Sequence, residues 1–246
     1  MIVKFVFEAE GDRLELPKNY NSTLQGFFYK NMDSELASFL HERGFYLGKR
    51  VFKLFVFSKI FGKLLGKDYE KVYYAPRFRV YFASPRNDIA ITTLREFILS
   101  RGHLLLGKNR VKVLAVKPVI LKDLESPLKV KAVSPITVYK TPPGERKHIY
   151  LSPFDDEFYR LLIENLKKKY NIVYGKPFEG EIEIKPVKVS EKDFKKVVFK
   201  GTLIHAWSGV FEINAPKEVI NLALEAGLGA KNSAGFGMVL PVGLKV

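Results

Sequence analysis

Residues 2–8, IVKFVFE, alternate strictly: Val3, Phe5 and Phe7 fall on one side, Ile2, Lys4 and Val6 on the other. A strand with one wholly apolar face follows from that period of two. Asn21 and Ser22 stand where they can cap a helix reaching about Met32, and Asp33 can cap a second helix, Ser34 to Glu42. Phe52 to Ser58 is apolar and β-prone, whereas Lys59 to Lys71 reads as a basic turn region. Phe78 to Ala83 makes a further strand. Asn87 to Ser100 places Ile91, Leu94 and Ile98 at helical spacing, and Val111 to Val119 supplies a closing strand.

The second half repeats this order. Val130 to Tyr139 reads as a strand and is followed by the turn TPPGE. Ser152-Pro153 opens a helix with Asp155 at its third position, a capping-box variant with proline at the first turn. Phe154, Phe158, Leu161, Leu162 and Leu166 form its apolar stripe, and Lys167 to Lys169 suit the negative end of its dipole. Glu181 to Val189 and a long Val197 to Ile213, bent at Gly209, read as strands. Ala215-Pro216 starts a short helix to Ala226, and Phe236 to Val246 gives the last strand. The pattern is βαββαβ twice over, which predicts an α+β fold of tandem ferredoxin-like (RRM-like) domains, 1–123 and 127–246, divided near Asp123 to Pro127. The repeat is one of element order and not of residues. A single α+β domain with one large antiparallel sheet is the alternative.

Composition narrows the classes. Hydrophobic residues make up 47% of the 246, enough for real cores. The longest apolar candidate, Val111 to Leu121, is interrupted by Lys112 and Lys117 and falls short of the roughly 18 residues a membrane helix needs. Lys4, Glu8 and Glu10 break up any signal-peptide core. Without cysteine the chain has no disulfide, thiolate metal site or cysteine nucleophile. A soluble, cytoplasmic protein with no membrane partner is expected. Lys plus Arg number 41 against 26 acidic residues, a net charge of +15 shared by both halves. Such an excess favours a polyanionic partner, because neutralising phosphates releases condensed counterions. A lysine-rich surface serving solubility or ion-pair networks is the plainer reading.

Residues 227–237, GLGAKNSAGFG, carry four glycines after a helix and before a strand. That order is the inverse of a dinucleotide fingerprint, and no phosphate loop of the Gly-Lys-Ser/Thr type occurs, so a nucleotide cofactor is not expected. Gly227, Gly229, Gly235 and Gly237 are instead expected to let a phosphate approach main-chain N–H groups, with Lys231, Asn232 and Ser233 adding a charge and donors. A connection whose glycines merely satisfy positive φ angles is the structural alternative.

The segment GLGAKNSAGFGMV, closing a second ferredoxin-like unit, resembles the signature loop of the RAMP superfamily of CRISPR-associated proteins. In addition, LQGFFYKNM (24–32), ASFLHERG (37–44) and FKLFVFS (52–58) resemble the archaeal-type endoribonuclease that cuts CRISPR repeat transcripts. The resemblance spans nearly the whole chain. It implies metal-independent cleavage of repeat RNA into guide RNAs, leaving 2′,3′-cyclic phosphate and 5′-OH ends, with no cofactor. Repeat RNA, subunits of a CRISPR effector complex and a second copy of the chain are the partners it implies. Residue by residue, Tyr29 matches the family's helix tyrosine, His41 its acid/base histidine and Lys53 the lysine opening the next strand. Lys49 and Arg50 are alternatives for that lysine, because ERGFYLGKRVF is a long connection. Some members of the family lack the histidine, some bind RNA with little or no cutting, and a ribosome- or tRNA-associated RNA-binding protein is the reading outside it.

The chemistry of these residues fits. Cutting RNA without a metal requires deprotonating a 2′-OH, protonating the leaving 5′-oxygen and stabilising a dianionic phosphorane. A histidine titrates in the range for either proton transfer, a lysine supplies charge, and a tyrosine with an ordinary pKa of about 10 is a donor before it is a base. At about 100° per residue, Tyr29 lies roughly 140° from the centre of Leu24, Phe27 and Phe28, and His41 roughly 95° from that of Leu36, Ala37 and Leu40. Neither belongs to a buried stripe. Lys49, Arg50, Lys53, Lys59, Lys63, Lys67 and Lys71, with only Asp68 and Glu70 among them, form the expected RNA-backbone track. His103, His148 and His205 are scattered, with no metal-ligand spacing, and His205 beside Trp207 reads as structural or as a stacking surface.

Overall fold

The computed structural model describes residues 1–100, 102–121, 124–145 and 147–244. The expected division near Asp123 to Pro127 lies in part outside them. The first unit runs β1 (Ile2–Ala9), β2 (Leu14–Pro17), α1 (Asn21–Lys30), α2 (Ser34–Ser38), β3 (Phe45–Leu47), β4 (Arg50–Phe52), β5 (Val56–Phe57), β6 (Phe61–Lys67), β7 (Lys71–Ala83), α3 (Asn87–Leu99), β8 (Leu104–Leu106) and β9 (Asn109–Pro118). The second runs β10 (Leu128–Ala132), β11 (Tyr139–Lys140), β12 (Ile149–Tyr150), α4 (Asp156–Tyr174), β13 (Glu183–Lys188), β14 (Phe194–Phe199), β15 (Thr202–Trp207), β16 (Val210–Asn214), α5 (Lys217–Ala226) and β17 (Val239–Pro241).

Both sheets have the same plan. β1 lies between β7 and β9, antiparallel to each, as β10 lies between β16 and β17. β5 and β6 extend the first sheet along β7, and β13 flanks β16 in the second. This is the split βαβ arrangement twice, a tandem ferredoxin-like fold. The alternation of β1 explains how the units meet. Val3, Phe5 and Phe7 enter an aromatic core with Phe27, Phe28, Phe78, Phe82 and Phe97. Ile2, on the opposite face, joins Val56, Tyr81 and Ala83 in the core of the second unit with α4 and α5. Each sheet face is thereby half of a different core. No helix among the described residues is long and apolar enough to cross a membrane.

Several elements depart from the sequence pattern. Lys59 to Lys71 is not a turn region, because Phe61 to Lys67 forms β6 along the thirteen-residue β7. Exposed on nearly every residue and bulged twice, β6 shows no apolar alternation to read. On α3 the buried residues are Ile89, Ala90, Thr93 and Phe97, while Ile91 and Ile98 face solvent. Val197 to Ile213 is three strands and not one, since β14 and β15 form a hairpin and Gly209 starts a turn into β16. Val130 to Tyr139 divides into β10 and β11, and the last strand shortens to three residues. Phe154 is exposed on the approach to α4, outside its buried stripe.

Candidate functional site

The corner holding Tyr29, His41 and Lys53 is assembled from short, irregular pieces. Asp33 caps α2 by accepting from the N–H groups of Glu35 and Leu36, as expected. After one turn the helix widens into a π turn, Phe39–Arg43, which buries Leu40 and leaves His41 exposed. Its imidazole stands edge-on to the Tyr29 ring, centroids 5.8 Å apart at 87°. Tyr29 is half-buried on α1, edge-on also to Phe55 at 5.6 Å, and burial pushes its phenol up to about 12. Leu54 takes a left-handed conformation, φ +51°, which separates β4 from β5. Lys53, just before that break, donates from Nζ to the main-chain oxygen of His41 at 3.0 Å. Partial burial lowers its pKa. Tyr29 and Lys53 thus both meet His41, the first at its ring and the second at its main chain.

The glycine-rich loop is built differently from the expectation. Gly227, Gly229, Gly235 and Gly237 are all buried, and their close approaches are to protein. A Cβ on Gly229 would lie 2.5 Å from the Thr137 oxygen, and one on Gly237 would overlap the Leu228 oxygen. Several of the loop's main-chain N–H groups are already engaged: Leu228 donates to Gly237, Ala230 to Thr137 and Gly237 to Pro135. The glycines thus serve packing and not an open phosphate cradle. Asn232, expected as an RNA donor, faces inward, donating from Nδ2 to the Leu228 and Phe236 oxygens. Asn21 does not cap α1. Its amide donates to the Ala234 and Gly235 oxygens, while Gln25 donates to the Ser233 oxygen at 2.8 Å. The first unit's helix therefore holds the second unit's loop.

The loop borders a cleft of about 520 Å³. Arg50, Lys53 and Phe55 of the first unit line it, together with Tyr139, Lys140, His148, Lys231 and Ser233 of the second. Lys231, in a left-handed conformation at φ +57°, places its ammonium 5.2 Å above the Tyr139 ring. His148 stacks on the same ring at 4.1 Å with Nδ1 2.8 Å from the Thr141 hydroxyl, and burial together with Lys231 lowers its pKa. Lys49 sits exposed on the β3–β4 turn beside this mouth. Lys59 does not join it, facing a separate groove of about 770 Å³ with Lys63, Arg77 and Arg79. Lys71 leaves the basic track through its ion pair with Glu15 at 2.5 Å.

Two cleft residues escaped the sequence reading. His148 looked isolated, because only the β11–β12 hairpin brings it to Tyr139. Lys169 was placed at the dipole end of its helix, yet it is buried beneath the loop, where desolvation pulls its pKa down to about 7. Its signal was present: three residues after Leu166, it continues the stripe of Phe158, Leu162 and Leu166.

Comparison with known proteins agrees with this architecture. The family model for the C-terminal part of the CRISPR associated protein Cas6 matches residues 118–240. The CRISPR-associated endoribonuclease Cas6 of Pyrococcus furiosus is 27% identical over 259 aligned residues, covering 99% of this chain and 90% of that protein. A solved structure described as CRISPR associated protein Cas6 is similar with a TM-score of 0.79 at 25% identity, covering 98% of this chain and 99% of its own. Another, described as an RAMP protein binding different RNA substrates, shares the fold with a TM-score of 0.83 at 21% identity, covering 98% and 99%. Half of the chain thus matches the family model and nearly all of it aligns with full-length relatives: the chain belongs to the CRISPR-associated Cas6 family.

Proposed function

We propose that the protein is an endoribonuclease that binds CRISPR repeat transcripts in the basic cleft and cuts them without a metal ion. The observation that supports this best is that Tyr29 and Lys53 both meet His41, while Lys53 also lines a basic cleft shared with Arg50 and Lys231. In this reading His41 transfers a proton, taking that of the attacking 2′-OH or delivering one to the leaving 5′-oxygen. Lys53 and the Tyr29 hydroxyl face the phosphorane, the first as charge and the second as donor. The 2′-oxygen displaces the 5′-oxygen at phosphorus, which leaves a 2′,3′-cyclic phosphate upstream and a 5′-OH downstream. RNA backbone passes Arg50 and Lys231, with Lys49 at the rim and Lys59 on the neighbouring groove.

Incubation with labelled repeat RNA in EDTA, followed by analysis of product ends, tests the proposal. A single cut with a cyclic phosphate is expected. Cutting that requires a divalent ion, or a 5′-phosphate on the downstream product, would overturn the mechanism. Tight binding with intact RNA would reduce the protein to a carrier of repeat RNA.

A further inference from the structure

Lys169 lies on the core-facing side of α4 and is only 2% exposed. An ammonium so desolvated costs several kcal/mol unless every proton finds an acceptor. Nζ donates to the Gly227 oxygen at 2.7 Å, to Asn232 Oδ1 at 2.7 Å and to the Gly229 oxygen at 3.1 Å, with the Ala226 oxygen at 3.5 Å. Three near acceptors match three protons. Ala226 ends α5, so the cation also sits where that helix presents its free carbonyls and the negative end of its dipole. Asn232 carries the tie further through its bonds to Leu228 and Phe236. One buried amine thereby gathers both limbs of the loop from within.

The outer side of the same loop is the cleft wall. Lys231 is not glycine, and a left-handed conformation, unfavourable for it, persists only where the surroundings over-determine the backbone. Asn232, its neighbour, is the residue held by Lys169.

We infer that Lys169 is a positioning residue for RNA binding: with its Nζ taken up by the loop's own acceptors, it ties the loop from beneath and presents Lys231 and Ser233 to the phosphates of a strand in the cleft. The inference rests on reading the cleft as the RNA site and goes beyond it by naming what shapes that wall.

Lys169→Met keeps the length and bulk of the side chain and removes the ammonium. Binding is measured with repeat RNA carrying a 2′-deoxy nucleotide at the cut, and cleavage in single turnover at saturating RNA, on protein shown by circular dichroism to be folded. The Kd is expected to rise about tenfold, the scale of a lost charge-assisted contact, with the saturated rate within about threefold of wild type. In a Lys169→Met/Lys231→Ala double variant the two losses are expected to fall short of additivity, since both remove the same contact. Should Lys169→Met fail to fold, Asn232→Ala replaces it and is expected to show the same split between binding and rate. Wild-type affinity in the folded variant, or full additivity, would overturn the inference. Wild-type protein that binds the RNA without cutting it sinks the nuclease reading alone, because the binding comparison still decides the role of Lys169.

Discussion

The two sides of the candidate site are built on opposite principles. The side bearing Tyr29, His41 and Lys53 joins the end of α1 to a five-residue helix, a π turn, a hairpin of three-residue strands and a left-handed leucine. A hydrogen bond from the Lys53 side chain to the His41 main chain joins two of these residues. The side bearing Lys231 is a loop with all four glycines buried and carbonyls tied by Lys169, Asn232, Asn21 and Gln25. A surface that grips a flexible polyanion gains by being shaped in advance, since no ordering cost falls due on binding. Groups that transfer protons must instead close on the substrate, and such geometry commonly tightens only in the complex. In the proposed function one side is preset and the other is left to adjust.

If the two sides divide the labour in this way, substitutions in them separate. The largest effect is expected for His41→Ala: single-turnover cleavage falls about 10³-fold, within the range for loss of a general acid or base, while RNA affinity stays within about twofold. A parallel loss of affinity would show that the corner also grips. Next comes Gly237→Ala. A methyl there would overlap the Leu228 oxygen, lie 2.8 Å from Asn232 Nδ2 and force alanine into φ +79°. A destabilisation of about 3 kcal/mol is expected from a denaturant titration, accompanied by weaker RNA binding. An unchanged midpoint would mean that the loop gives way, and the contrast between sides would fail. Lys53→Met is expected to lower the saturated cleavage rate about 10²-fold, as loss of one transition-state donor does, and to move affinity far less. A loss confined to affinity would transfer Lys53 to the gripping side.

Much of this was legible in the sequence because period and capping report local geometry. Alternation in IVKFVFE placed β1 and even its two faces, and Asp33 marked the helix that leads to His41. Side chains whose partners are distant in the chain were not legible. Asn21 has the residue type of a cap, yet its acceptors are more than 200 residues away. Gly227 to Gly237 look like exposed backbone when their neighbours are unknown, whereas Thr137, Pro135 and Phe57 fill the space a phosphate was expected to take. Lys169 read as a solvated helix-end charge because a cation on an apolar stripe makes sense only when its carbonyl acceptors are in view.

The smallest predicted effect bears on how the adjustable side works. Tyr29 is half-buried against Phe55 and edge-on to His41, and desolvation favours its neutral form, so the phenol ionises only near pH 12. That direction favours a hydrogen-bond donor through the working range over a phenolate base. Tyr29→Phe deletes one neutral donor, which is worth about tenfold in the saturated rate. Because no titrating group is lost, the pH–rate profile from about pH 5 to about pH 9 is expected to keep its shape and move down uniformly. A profile that loses its alkaline limb in Tyr29→Phe would make the phenol the base, against the direction in which burial drives it. Proton transfer would then belong to α1 and not to the π turn.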